Sequence, residues 1–190
     1  MNGDKIKVWD SVVRGFHWLL VFAFIVAFAT EDDWITLHSW AGYLVIGLLL
    51  LRLFWGFVGS SHARFSDFSF SMSQVLSYLR DVFLFKAKRY IGHNPAGAWM
   101  IYMLFVCLAL TSVTGLVVLA IEEQAGPLAP YFLFSDERLE DVIEELHEFF
   151  ANFTLVLVCF HVAGVVFESV LHKENLVKAM IDGYKKKASR

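Results

Sequence analysis

Four long apolar stretches constrain this chain more than any other feature. They run roughly from Phe16 to Thr30, Ile35 to Val58, Ala96 to Ile121 and His147 to Leu171. The last three are long enough, as helices, to cross about 30 Å of hydrocarbon. The first reaches that length by starting near Asp10, because Ser11, Val12 and Val13 continue its helical pattern. Lipid offers no partner for backbone N–H and C=O groups, so each stretch has to satisfy them internally as a helix. With 57% hydrophobic and only 18% charged residues in 190, the chain has too little polar surface for a soluble domain of this size. The expected fold class is all-α: an integral membrane four-helix bundle, one domain over 1–190, with spans at about 11–30, 35–58, 96–121 and 147–171.

Charge orients the bundle. Of the 16 Lys and Arg, only Arg138 follows the first or third span, and the other 15 fall in the N-terminus, the second loop and the C-terminus or, for Arg14 and Arg52, near the inner ends of the first two spans. By the positive-inside rule both termini are expected in the cytoplasm. Twelve of the 19 acidic residues lie on the opposite side, at Glu31, Asp32, Asp33, Glu122, Glu123, Asp136, Glu137, Glu140, Asp141, Glu144, Glu145 and Glu148. Outer net charge is −11 and inner net charge +8, which together give the chain's −3. Acidic residues contribute little to topology, so this outer acidity asks for a further reason, and a cationic soluble partner supplies one. Ser71 to Phe85 reads as an amphipathic helix lying along the inner interface, with Val75, Leu76, Leu79 and Phe83 on one face. Asn94-Pro95 reads as the cap and first residue of the third span. No cleavable signal peptide is expected, since the first apolar run has no small-residue cleavage site and leads into Glu31-Asp32-Asp33.

Four of the seven histidines, His17, His38, His147 and His161, fall within or at the ends of the spans. Ionisable groups there are costly and usually face the bundle interior. His147 and His161 are 14 residues apart, which places them within about 40° of the same helix face and about 21 Å apart along it. That is too far for one shared metal and suits two sites. His38 and His147 both open spans that begin on the outer side, so they lie at similar depth. His17 is 13 residues before Thr30, or about 20 Å below that boundary, the depth of His161. Two levels with two imidazoles each are what bis-histidine haem ligation in a helical bundle requires. Zinc would want a tetrahedral cluster at one level. Cys107 and Cys159 read as helix-packing residues, and no Cys-x-x-Cys-His is present to attach a haem covalently.

At these residues the chain resembles the prokaryotic cytochrome b561 family, which includes the b-type membrane subunits of nickel–iron hydrogenases. The matching strings are Arg14-Gly15-Phe16-His17-Trp18, the His38-to-Gly42 step and Arg52-x-x-Trp55-Gly56-x-x-Gly59. They continue with Ala63-Arg64-Phe65-Ser66-Asp67-Phe68, Gly92-His93-Asn94-Pro95-x-Gly97 and Thr114-Gly115. The last is Glu174-Asn175-Leu176-Val177-x-Ala179-Met180-Ile181-x-Gly183. The resemblance covers nearly the whole chain. It implies four transmembrane helices, two non-covalent haem b groups and electron exchange between quinone and a redox partner. The family's ligands map onto His38 and His147 at the outer haem and His17 and His161 at the inner one.

Beyond the ligands, Arg52, Arg64 and Arg14 are candidates for pairing with haem propionates, since guanidinium matches a carboxylate bidentately. Positive-inside anchoring is the other reading of Arg52 and Arg64. His93 is a candidate for a quinone carbonyl or a propionate, with a plain interfacial role as the alternative. His62 and His172 receive no role, and Lys185-Lys186-Lys187 reads as a lipid-headgroup anchor. The expected function is electron transfer across a bacterial inner membrane, between the quinone pool and a periplasmic partner. A basic c-type cytochrome fits the outer acidity; a hydrogenase-like oxidoreductase is the other candidate, and no nucleic-acid partner is expected. Two competing readings are a superoxide:quinone oxidoreductase, disfavoured by repulsion between an anion and the acidic face, and a cofactor-free scaffold whose histidines only pack.

Overall fold

The computed structural model describes residues 5–31, 34–133 and 136–187, so Asp32 and Asp33 of the acidic set lie outside the described residues. The chain is all-α in its spans, as expected. Helices α1 (Ser11–Ala29), α2 (Ile35–Val58), α4 (Pro95–Ile121) and α5 (Glu137–Leu171) are each long and apolar enough to cross a membrane. Helices α3 (Met72–Phe83) and α6 (Leu176–Asp182) are shorter. Side chains that a soluble protein would hide stand in the open: Phe22, Phe54, Phe57 and Phe160 are all more than half exposed. That exterior suits hydrocarbon rather than water.

The helix ends follow from local chemistry. Oδ1 of Asp10 accepts the Val13 amide at 2.9 Å and caps α1. Ser71 and Gln74 close a reciprocal capping box on α3. Oδ1 of Asn94 accepts the Gly97 amide at 2.7 Å, with Pro95 at the first position of α4. Asn175 caps α6, and Gly183 ends it with φ 87°, a left-handed conformation that glycine adopts without strain.

Two elements differ from expectation. Helix α5 begins at Glu137, ten residues before the apolar run. Asp136 accepts the Leu139 amide at 2.8 Å as a cap, and Glu137 and Glu140 sit in the first turn, where the helix dipole favours negative charge. The acidic residues thus extend a helix instead of forming a loop. In addition, β1 (Lys5–Lys7) and β2 (Tyr184–Lys186) pair antiparallel, with Lys5 opposite Lys186 and Lys7 opposite Tyr184. This joins the two ends of the described chain, which an even number of membrane crossings allows by returning both to one side.

The chain divides into two compact units. The first comprises the residues up to Trp18, Leu51–Tyr102 and the residues from Cys159 onward. Its core is Val8, Trp9, Val13, Ala63 and Ala179, with Trp55 and Met180 packed against it. The Asp10 carboxylate also accepts from Trp55 Nε1 at 3.0 Å and Ser60 Oγ at 2.6 Å, so one side chain ties α1 to the end of α2. Arg89 holds Glu174 through two hydrogen bonds, of 3.2 and 2.8 Å. Lys185 does not reach outward as a headgroup anchor would: it is 6% exposed, with its ammonium 5.8 Å from the Trp9 ring centre. Helix α3 carries Val75, Leu79, Phe83 and Leu76 within about 100° of one another, as expected. Along that stripe Val75 is buried, as is its neighbour Tyr78, while Leu76, Leu79 and Phe83 are exposed and left for the interface. The second unit comprises Leu19–Leu50 and Met103–Val158, with a core of Ala23, Val45, Leu49 and Leu108.

Candidate functional site

Each unit brings two of the four span histidines together. In the first, His17 of α1 faces His161 of α5 with ring centroids 6.4 Å apart. In the second, His38 of α2 faces His147 of α5 at 6.1 Å. Rings packed directly on one another would come closer. A metal–imidazole nitrogen bond is about 2 Å, and the nitrogen lies about 1.1 Å from the ring centre, so two imidazoles on opposite sides of one metal have centroids about 6.3 Å apart. Both separations match that value. Among the described residues no group of three or more His, Cys, Asp or Glu gathers to hold a metal. Any metal at either pair therefore needs its other donors from elsewhere, as the four pyrrole nitrogens of a porphyrin provide.

The ring orientation in the second unit fits the same chemistry. His38 directs Nδ1 at the Ala27 carbonyl, 2.8 Å away. His147 directs Nδ1 at the Thr111 carbonyl at 3.0 Å, with Thr114 Oγ1 at 3.2 Å. An Nδ1–H donating to a carbonyl leaves the Nε2 lone pair free, the usual arrangement behind a metal-bound histidine. Gly115 makes room for this ring: a Cβ there would stand 2.8 Å from His147 Cε1. Gly42, one turn along α2 from His38, has nothing within 4 Å of where its Cβ would stand, so a flat group at His38 meets no side chain there. In the first unit the Nδ1 of His17 is buried without a hydrogen-bond partner.

The other predicted residues scatter around the first unit. Arg52 is 5% exposed, lies 5.1 Å from the Phe65 ring centre, and leaves one guanidinium nitrogen buried and unpartnered. Such a donor is expensive unless it meets an anion. Arg14 donates to the Ile181 and Asp10 carbonyls. Arg64 is exposed and precedes a short 3-10 turn at Phe65–Phe68. His93 is held between Trp9 and Phe68, each 4.6 Å away by ring centroids, with Nδ1 buried and unpartnered. Burial, then the charges of Arg52 and Lys185, push its pKa down to about 3, so the ring is neutral at any working pH. His93 also lines a pocket of about 270 Å³ with His62, Asp67, Phe70 and Tyr90. That is room for one ring-sized group rather than a larger ligand.

Tertiary contacts add groups that the sequence reading did not select: Thr111 and Thr114 behind His147, and Tyr78 bonded to Glu168. Thr114-Gly115 stood among the family strings, but nothing in the string alone tied it to a histidine 33 residues away. In the second unit the carboxylates crowd one another. Burial, then the charges of Glu144, Glu140 and Glu123, push the pKa of Glu122 upward.

The chain matches the family described as prokaryotic cytochrome b561 over residues 8–183. A probable Ni/Fe-hydrogenase B-type cytochrome subunit of Rhizobium leguminosarum bv. viciae is 26% identical, the match covering 95% of this chain and 88% of that one. Its counterpart in Azotobacter vinelandii is also 26% identical, over 95% and 88%. The probable Ni/Fe-hydrogenase 1 B-type cytochrome subunit of Escherichia coli (strain K12) is 24% identical, over 94% and 89%. No solved structure matches. With four apolar helices in place and the match running almost end to end, the chain belongs to the prokaryotic cytochrome b561 family, as a multi-pass membrane protein of electron transport that carries b-type haem.

Proposed function

We propose that the chain conducts electrons across a bacterial inner membrane through two haem b groups, between the quinone pool and a redox partner on the outer side. The observation that carries this reading is the pair of imidazole pairs, at 6.4 and 6.1 Å, each at the separation one iron demands. His17 and His161 hold the inner group and His38 and His147 the outer one. Haem so bound supplies an iron that cycles between ferric and ferrous without an open position for oxygen or substrate. The protein's part is to fix the imidazoles. The Ala27 and Thr111 carbonyls set the tautomer of His38 and His147, which raises their basicity as ligands. Arg52 carries a free guanidinium donor suited to a propionate. The aromatic pocket beside neutral His93 suits a quinone head, whose carbonyl accepts a hydrogen bond from an imidazole N–H.

On the outer side the crowded carboxylates that raise Glu122 favour a cationic soluble protein, and a basic c-type cytochrome is the partner we favour. The names of the relatives support a hydrogenase-like oxidoreductase as the second candidate. Potentiometric titration of the purified protein tests the core of the reading. Two one-electron b-haem transitions with low-spin spectra are expected, and a single transition or none refutes it. Partner choice is tested by ionic strength: transfer to a basic cytochrome slows steeply with added salt, and a salt-independent rate excludes that partner.

A further inference from the structure

Tyr78, Glu168 and His172 form a cluster in the first unit that haem binding leaves unused. Tyr78, on the buried face of α3, donates its hydroxyl proton to Oε1 of Glu168 at 2.7 Å. The other carboxylate oxygen lies 3.2 Å from Nε2 of His172, one turn on and just past the end of α5, close enough for an ion pair though not aligned as a hydrogen bond. On its other side the Asn94 amide, next to His93, acts against the rise in the phenol's pKa. Its ring meets Tyr90 edge-on at 5.7 Å, and Tyr90 lines the pocket beside His93. A tether between α3 and α5 needs only the Tyr78–Glu168 bond. An imidazole on the second oxygen adds a further group that can take up and pass on a proton.

We propose that Glu168, held between Tyr78 and His172, exchanges protons between the pocket beside His93 and the aqueous phase when a quinone is oxidised or reduced there. The inference rests on the quinone reading above. A hydroquinone becoming a quinone breaks two O–H bonds and releases two electrons and two protons. The electrons pass one at a time to two ferric irons, which become ferrous. Each proton leaves the hydroquinone oxygen and is carried by water to the Tyr78 oxygen, and Tyr78 releases its own proton to the Glu168 carboxylate as it takes this one and so ends unchanged. Glu168 then passes the proton to His172, and the imidazolium gives it to water beside exposed Lys173. Every group returns to its starting state after each passage, and the reverse sequence feeds protons to a quinone being reduced. Burial, then the bond to Glu168, push the Tyr78 pKa up, so the phenol acts as a conduit and not as an anion. The charged and titratable groups facing Glu168 are Tyr78 from α3, Tyr90 beyond it, His172 just past the end of its own helix and the Lys185 ammonium from β2. Lys185 in turn feels Glu174 and Arg89, and it supplies counter-charge to the accepting carboxylate.

The test is stopped-flow reduction of the full haem-loaded chain by decylubiquinol and by menadiol, over about pH 5.5 to 8.5. Wild type is compared with Glu168→Gln, which keeps the Tyr78 bond, and with Tyr78→Phe and Glu168→Asp. Hexaammineruthenium(II) serves as a reductant that carries no proton. Glu168→Gln is expected to slow reduction by quinol about 10²-fold and flatten its pH profile, with the ruthenium rate unchanged and Glu168→Asp partly restored. Tyr78→Phe should slow it as well. A quinone-redox infrared difference spectrum should show a carboxyl C=O band that shifts in D₂O and is lost in Glu168→Gln. Equal quinol rates and pH profiles in wild type and Glu168→Gln overturn the relay. So does equal slowing with the ruthenium reductant, which marks a packing role. If neither quinol reduces wild type, the quinone reading itself has failed and the relay with it; if wild type and variant are both reduced alike, only the relay falls.

Discussion

Gly115 on α4 is the position where a single methyl group tests the second-unit site most sharply. A Cβ added there stands 2.8 Å from Cε1 of His147, 3.2 Å from Nδ1 and 3.6 Å from Nε2. Carbon atoms in contact settle at about 3.5 Å or more, so the ring has to retreat by about 0.7 Å. It is not free to do so. Its Nδ1 is held by the Thr111 carbonyl at 3.0 Å, and a metal–nitrogen bond tolerates changes of only about 0.2 Å. Overpacking of this kind costs about 1–3 kcal/mol, which corresponds to about 5- to 150-fold weaker retention of the group bound by His147. Gly115→Ala should therefore lose or loosen one haem while the other, at His17 and His161, keeps its midpoint potential. Gly47→Ala is the control, since nothing lies within 4 Å of its added Cβ. The readouts are haem per chain by pyridine haemochrome and the two midpoints by potentiometry. Two fully retained haems with unshifted midpoints in Gly115→Ala would refute the claim that His147 ligates from its observed position.

Two further outcomes follow from the first unit. Burial works to raise the Asp10 pKa, but bonds from Ser60, Trp55 and the Val13 amide outweigh it and hold it below the ordinary 3.8. A depressed carboxylate stabilises above its unfolded-state value and loses that contribution as pH falls through the folded-state one. Asp10→Asn should accordingly lower the melting temperature at neutral pH, with the difference from wild type closing below about pH 3.8; a difference independent of pH contradicts the ionised role. Gly183→Ala forces a side chain into φ 87° with its Cβ 2.6 Å from the Trp9 carbonyl. It should destabilise the first unit by about 1–3 kcal/mol, read as loosened protection of the Val8 and Trp9 amides that bond to the Gly183 carbonyl.

The spans were legible because hydropathy and the demands of lipid leave few alternatives, and α2 begins at Ile35 and ends at Val58 as its apolar run does. The meeting of His17 with His161 and of His38 with His147 was legible from helix rise, which converts residue spacing into distance along each span. Acidity hid the start of α5: Leu139, Val142, Ile143 and Leu146 keep a helical period, but five acidic residues from Glu137 to Glu145 break the apolar run, and the Asp136 cap and the dipole favour the helix there. The β1–β2 pair was hidden by its size, three residues a strand and rich in lysine. Lys185 was misread for a related reason. In a run of lysines nothing marks the one whose strand register turns it inward over Trp9. Contacts such as Tyr78 with Glu168, 90 residues apart, exist only once the chain is folded.

The most direct test is haem stoichiometry and redox titration of His147→Ala beside His161→Ala. Two clamped iron centres predict two haems per wild-type chain and one in each variant, with the surviving midpoint differing between the two variants. Loss of the same haem from both variants, or a wild-type protein that binds only one, would contradict the account.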